Sequence, residues 1–322
     1  MLKRFLTIIP TIIGVNLIVF FLFFVVNSPN HIAEQALGEK SSTPEQIERW
    51  KESRGYNLPY VFNASAPGMQ KVTQTILFQK SLKLIWFDFG VSDMTGQPIA
   101  AEIWRRVPPT LCLTVPIFLG SLLLNIFLAM LAAASRNSKG DRALQLFCVL
   151  SMSVSTILYI IAGQFIFAKV LRLVPVSGFL YKWDMVRFLV LPVFIGILAG
   201  MGTNIRFYRT IFLEEMNKDY VRTARAKGLD EYKVLFLHVL KNALIPILTN
   251  VPIQLLMLVT GSFLLERFFS IPGMGSYTIM AVTSQDFSIV RAMVFLVSML
   301  YIIGLFLTDI CYCLVDPRVK IK

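Results

Sequence analysis

The chain has 322 residues, of which 56% are hydrophobic and only 16% charged, with 26 Phe and a mean hydropathy of +0.66. That composition excludes an ordinary soluble globular domain, which carries more charge and fewer large apolar side chains. The formal charge of +12 would suggest nucleic acid in a soluble protein. In a membrane chain it reads instead as Lys and Arg collected at cytoplasmic ends of spans, so lipid is the expected surroundings and no nucleic-acid partner is expected.

A membrane-crossing helix needs about 20 consecutive, mostly apolar residues. Lys3 and Arg4 precede the first such run, Phe5–Val26. The run is too long for a signal peptide and no clean small-residue cleavage site follows, so it reads as a retained N-terminal span covering residues 1–26. Residues 27–110 form a long segment with its own grammar. In "STPEQIERWKESRG", Thr43 is a predicted N-cap, Pro44 stands at the first helical position, Gln46 completes a capping box and Gly55 is the stop. "FDFGVSDMTGQPI" then reads as a turn-rich loop.

Five further apolar runs follow: Leu111–Ala134, Ala143–Ala168, Phe188–Ile205, Ala243–Leu265 and Ala292–Val315. The fourth of the six spans, Phe188–Ile205, is the shortest, and its Pro192, Gly196, Gly200 and Gly202 suit a bent, closely packed helix. Pro116, Pro192, Pro246 and Pro252 lie in apolar contexts and read as kinks, with a moving gate as the alternative. The only acid within the six runs is Asp309. Its off-centre position favours an interfacial or helix-bonded carboxylate over a transport carboxylate.

Between the fourth and fifth spans, residues 206–242 hold the most basic stretch. Asp219–Lys227 predicts a short helix ending at Gly228, and Asp230 caps a second helix that runs through Val234, Leu235 and Leu240 into the fifth span. A helix, a glycine turn and a new helix make a compact knob projecting into water. The plainer alternative is a solvated loop that obeys the charge rule.

Charge fixes the expected orientation. With the N-terminus inside, sixteen Lys and Arg face the cytoplasm: Lys3, Arg4, Arg136, Lys139, Arg142, eight between Arg206 and Asn242, and Arg318, Lys320 and Lys322 in the tail 316–322. The short outer loops hold six, namely Lys169, Arg172, Lys182, Arg187, Arg267 and Arg291. The bias predicts both termini in the cytoplasm. The expected architecture is therefore an all-α membrane protein with six transmembrane helices and a large extracytoplasmic loop between the first two, followed by a transmembrane domain at 111–315.

Enzymatic chemistry has no visible constellation. The chain lacks a Gly-x-x-x-x-Gly-Lys-Ser/Thr phosphate loop, a His-Glu-x-x-His pair and a Gly-x-Ser-x-Gly elbow. Cys112, Cys148, Cys311 and Cys313 all sit in apolar runs away from His31 and His238, which reads as packing and not as a metal site or disulfide framework.

Two stretches carry a resemblance. "DYVRTARAKGL" at 219–229 and "HVLKNALIPIL" at 238–248 resemble the cytoplasmic EAA loop of ABC importer permeases, most closely the first-permease type of the dipeptide/oligopeptide/nickel branch. "LGEKSSTPEQIERWK" at 37–51, "FGVSDMTGQPIAAEIWRRVPPTLCLT" at 89–114, "VPVSGF" at 174–179, "ERFFSIPGMGSYTIMAV" at 266–282 and "DPRVK" at 316–320 agree in order. The Glu-Ala-Ala that names the loop reads Arg222-Thr223-Ala224 here, as is usual in the peptide branch. The match is weakest around 56–85.

The resemblance implies a type I ABC importer fold in the bacterial inner membrane. It implies as partners a second homologous permease, two ABC ATPase subunits that bind ATP and Mg, and an extracytoplasmic solute-binding protein. No cofactor is expected on this chain itself. Tyr220, Thr223, Ala224, Arg225, Ala226, Lys227, Gly228 and Leu229 become the ATPase-coupling residues. In that reading Ala224 and Ala226 keep the helix slim enough for a groove, and Arg225 and Lys227 pair with acidic rims. Pro272, Gly273, Met274 and Gly275 become outer-face gate candidates. Peptides or peptide-like solutes are the implied cargo; the branch also admits nickel complexes, glutathione-like molecules and peptide antibiotics. Two readings of other classes need features that are not seen. A membrane enzyme needs paired carboxylates, a Ser/Lys pair or a metal cluster, and an ion-coupled transporter needs several buried ionisable groups near mid-membrane.

Overall fold

The structure is a computed structural model that describes residues 2–38, 43–180, 184–249 and 251–315. Lys182, the tail 316–322 with its "DPRVK", and parts of the "LGEKSSTPEQIERWK" stretch lie outside the described residues. Among the described residues the architecture is helical, with one isolated bridge between Val91 and Pro98 as the only extended pairing. Among the described residues, four helices are long and apolar enough to cross a membrane, or up to six if each of two bent pairs is one span.

The chain divides into two compact units. One holds the described residues up to Pro108 together with Ser276–Phe306. Its first helix, Leu2–Phe20, continues through Phe21–Val26 and then turns by 69° into Pro29–Leu37. The turn follows from the sequence: the Ser28 hydroxyl accepts from the His31 amide at 3.3 Å, and Pro29 opens the new helix. The helix Pro44–Arg54 carries the expected capping box, in which Thr43 and Gln46 satisfy each other's amides, and it ends on left-handed Gly55. Residues 56–85 fold into turns and short helical pieces, including Gln70–Thr73, Leu77–Ser81 and Leu82–Trp86. They close on a largely aromatic hydrophobic cluster, Phe20, Phe24 and Tyr56 with aliphatic Ile32 and Ile76, and Trp50 and Phe287 pack against it. Segment 27–110 is thus anchored on the first helix by buried rings and is not a spacer.

The other unit holds Pro109–Gly275 and the described residues from Leu307. Three expected spans differ in form. The third, Ala143–Ala168, is a pair of helical segments, Lys139–Ser153 and Thr156–Val170, bent by 96°. Val154 between them is extended (φ −97°, ψ 128°). The Ser153 hydroxyl donates back to the Val149 carbonyl, a bond that competes with the helical ladder and favours a bend. The fourth extends well beyond Phe188–Ile205, as one helix over Met185–Met216. Pro192 is accommodated within it, and a Cβ at Gly202 would stand 2.5 Å from the Cys148 carbonyl oxygen, so the neighbouring helix packs against bare backbone there. The first part of the 206–242 loop is therefore helix, not loop. The fifth run is broken into Leu240–Leu248, Val251–Met257, Leu258–Thr260 and Phe263–Phe268.

Candidate functional site

The knob forms where the sequence places it, and its two faces differ. Asp219–Ala226 is an eight-residue helix. It closes in a paired C-terminal motif: the Gly228 amide donates to the Arg225 carbonyl at 2.9 Å and the Leu229 amide to the Ala224 carbonyl at 3.4 Å. Gly228 makes this possible with φ +76° and open space around it. Val221 and Ala224, three apart, point into the chain's own core with Phe212, Val234, Val239 and Ala243. Ala224 is 5% exposed. Its small side chain lets the knob sit down on its own spans, on the face turned away from solvent, where a groove-facing position was expected. Thr223, Arg225, Ala226, Lys227, Gly228 and Leu229 are exposed, and Tyr220 is half-buried.

Charge reinforces the seat. Glu215 is buried at the end of Met185–Met216 and accepts from the Tyr220 hydroxyl at 2.5 Å and from Lys218 Nζ at 2.6 Å. Burial first, and then the Glu215 carboxylate, push the Tyr220 phenol up to about 12. Arg225 grips Glu231 with two hydrogen bonds, 3.1 and 2.6 Å, and its pKa is raised by that partner. Arg225 therefore ties the two helices of the knob together within this chain, where an acidic rim of a partner was expected. Asp230 stands at the N-cap position of the second helix but makes no side-chain cap bond.

Glycines serve a different purpose in the segment that holds Pro272, Gly273, Met274 and Gly275. Glu266, 0% exposed, is its centre. Thr110 Oγ1 donates to Glu266 Oε1 at 3.0 Å and accepts from the Met274 amide at 2.7 Å. A Cβ on Gly273 would meet Thr110 Oγ1 at 2.5 Å, and one on Gly275 would meet the Phe263 backbone nitrogen at 2.7 Å. Gly273, Met274 and Gly275 are buried and Pro272 is half-buried. "VPVSGF" is tied to the same corner, for the Gly178 amide donates to the Phe269 carbonyl at 2.9 Å and Gln164 Nε2 to the Phe268 carbonyl at 3.2 Å.

A cavity of about 550 Å³ lies within this unit. Polar Thr114, Ser121, Asn204, Gln254 and Ser262 alternate on its wall with apolar and glycine positions. The volume is in the range that holds a small organic solute, and the mixed lining offers hydrogen bonds without fixed charge.

The family of binding-protein-dependent transport system inner membrane components matches residues 125–321, which include the knob, most of the cavity wall and the glycine segment. A dipeptide transport system permease protein DppB of Bacillus subtilis is 30% identical over 100% of this chain and 97% of its own length. The chain belongs to the binding-protein-dependent transport system inner membrane component family. DppB of Alkalihalophilus pseudofirmus is 29% identical over 99% of the chain and 98% of the relative. A putative peptide transport system permease protein of Brucella abortus is 31% identical over 99% and 98%.

This permease is a transporter subunit and not an enzyme. Most of its residues singled out in the sequence fall into two clusters, 219–229 and 272–275. Asp309 is half-buried on Phe287–Val315. Cys112, Cys148 and Cys311 are free thiols, and the Cys313 side chain lies outside the described residues. Sequence reasoning missed Glu215, Glu231 and Glu266. Glu231 had a signal, as an acid six residues from Arg225 across a glycine turn. Glu266 had none beyond being an acid beside an apolar run.

Proposed function

We propose that the permease forms half of the membrane pore of an ATP-driven importer for peptides or peptide-like solutes, delivered by an extracytoplasmic binding protein. The observation that carries this is the two-sided helix Asp219–Ala226: one face is sealed onto the core of its own spans, and the other presents Thr223, Ala226 and Lys227 to a partner. In this reading the partner is one of two ABC ATPase subunits, which hold ATP and Mg. Because Val221, Ala224 and Tyr220 fix the knob to Met185–Met216, a push on the exposed face moves that helix, a wall of the cavity. The cavity then opens to one side at a time. A second, homologous permease supplies the facing wall.

The proposed topology has six spans of the type I fold: four single helices, the bent pair Lys139–Ser153 and Thr156–Val170 counted as one, and the N-terminal helix up to Val26 without the Pro29–Leu37 segment that bends away from it. Residues 1–26 are the first span, 27–110 an extracytoplasmic subdomain and 111–315 the transmembrane domain, with loop 206–242 and both termini in the cytoplasm. The Lys and Arg bias supports this orientation. The peptide cargo rests on the peptide-transport names of full-length relatives. Reconstituted importer should take up labelled dipeptide only with ATP and the binding protein together. Uptake driven by an ion gradient without ATP would overturn the proposal. A cysteine at exposed Ser65 should react with an impermeant reagent in intact cells and one at Ala226 should not; the reverse pattern would overturn the topology.

A further inference from the structure

Within the unit that holds the aromatic cluster, one buried guanidinium has two nitrogens without a partner. Arg291 is 2% exposed on Phe287–Val315. Its Nη2 donates to Ser288 Oγ at 3.3 Å, and its guanidinium carbon stands 5.1 Å from the centre of the Phe24 ring. Among the described residues, Nε and Nη1 have no hydrogen-bond partner. Two buried carboxylates of the same unit, Asp93 and Asp286, are held by neutral donors. Asp93 accepts from the Tyr56 hydroxyl and, at 3.1 Å, from the Ser288 amide. Asp286 accepts from the Ser92 hydroxyl and from the amides of Asp93, Met94 and Ile289. A buried cation with unmade hydrogen bonds is costly unless an anion or polar group meets it.

A cavity of about 180 Å³ lies against this arginine, lined also by Gln79, Lys80, Lys83, Asp88 and Ser288. Among the described residues Lys80 makes no ion pair, although the Asp93 charge acts on it; its ammonium lies 4.6 Å over the Tyr56 ring. Burial first, and then the Arg291 charge, push the Lys80 pKa down to about 8. Lys83 has one loose ion pair, 3.9 Å to Asp88, and a 39% exposed side chain. Three cations thus face one small cavity that has a single carboxylate on its wall.

Depth identifies the anion. Arg291 lies in the second turn of an apolar helix of spanning length, and Phe24 lies in the last turn of the apolar N-terminal helix, which ends at Val26. Ends of such helices sit at headgroup level. On the same short segment as Lys83, Trp86 and Phe87 are 69% and 55% exposed. An exposed Trp at a helix-end level is the residue favoured at the lipid–water interface. Arg offers a planar fork that suits phosphate oxygens, and Lys adds a point charge.

We infer that this cavity binds the phosphate of a membrane phospholipid headgroup, held by Arg291 and Lys80 with Lys83 at its more exposed side. The inference does not depend on the cargo or on the coupling role of the knob.

The purified importer, tested by native mass spectrometry, should retain phosphatidylglycerol in preference to a galactosyl diacylglycerol of the same tails, which has no phosphate. The double variant Lys80→Gln/Lys83→Gln keeps the buried Arg291 and its packing. It should weaken phosphatidylglycerol binding on the order of tenfold, since each basic side chain near the surface contributes a severalfold share. Arg291→Gln should weaken it further, with thermal unfolding followed to confirm a folded chain. Equal retention of both lipids, or unchanged binding in the double variant, would overturn the site. Inorganic phosphate binding that depends on the two lysines, without any phosphatidylglycerol preference, would support the phosphate chemistry and overturn the lipid source.

Discussion

Two glycine-bearing segments of one unit, 219–229 and 261–275, solve opposite problems. Gly228 has open space around its Cα and is needed for its positive φ; the knob it ends keeps one face free. Gly273 and Gly275 have no room, because Glu266, Thr110 and the Phe263 backbone stand where a Cβ would go. The first segment leaves one face open to solvent. The second is locked from within by a buried carboxylate. The same residue type therefore reports conformation in one place and packing in the other, and substitutions should separate the two.

The largest effect should come from Gly275→Ala. Its Cβ would press on backbone that no rotamer change can move, so the loss should be about 3 kcal/mol. Thermal unfolding of the purified importer reads it, and a wild-type midpoint would show that the segment is looser than described. Ala224→Trp comes next, at about 2 kcal/mol, because it overpacks the cluster of Phe212, Val234 and Val239. Its companion Ala226→Trp, on the exposed face, should leave the midpoint unchanged. Equal effects of the two would break the two-sided picture. Thr110→Val removes the hydroxyl that joins Glu266 to the Met274 amide and should cost about 2 kcal/mol. Smallest is Gly228→Ala, which forces an L side chain to φ +76° in open space and should cost about 1 kcal/mol. A cost for Gly228→Ala as large as that for Gly275→Ala would erase the distinction between the two segments.

What was legible in the sequence was local. Thr43, Pro44, Gln46 and Gly55 bound their helix as read, because a capping box is decided within four residues. Gly228 ends its helix for the same reason. The apolar runs announced the membrane, since length and composition alone decide that. What depends on distant partners was not legible. The inward turn of Ala224 is set by Phe212 on one side and by Val234 and Val239 on the other. The role of Glu266 needs Thr110, 156 residues away. The 96° bend in the third run had a faint signal in the polar, β-branched "SMSVST", which an average over twenty residues hides.

The central claim is that the exposed face of Asp219–Ala226 transmits force between ATPase and pore. It is tested most directly by the ATPase activity of the purified importer carrying Ala226→Trp, with and without loaded binding protein. The account predicts wild-type unfolding and assembly but loss of most of the stimulation by binding protein, because the indole stands on the face that must dock. Full stimulation in Ala226→Trp would contradict it and leave the exposed face of 219–229 as a solvated basic surface.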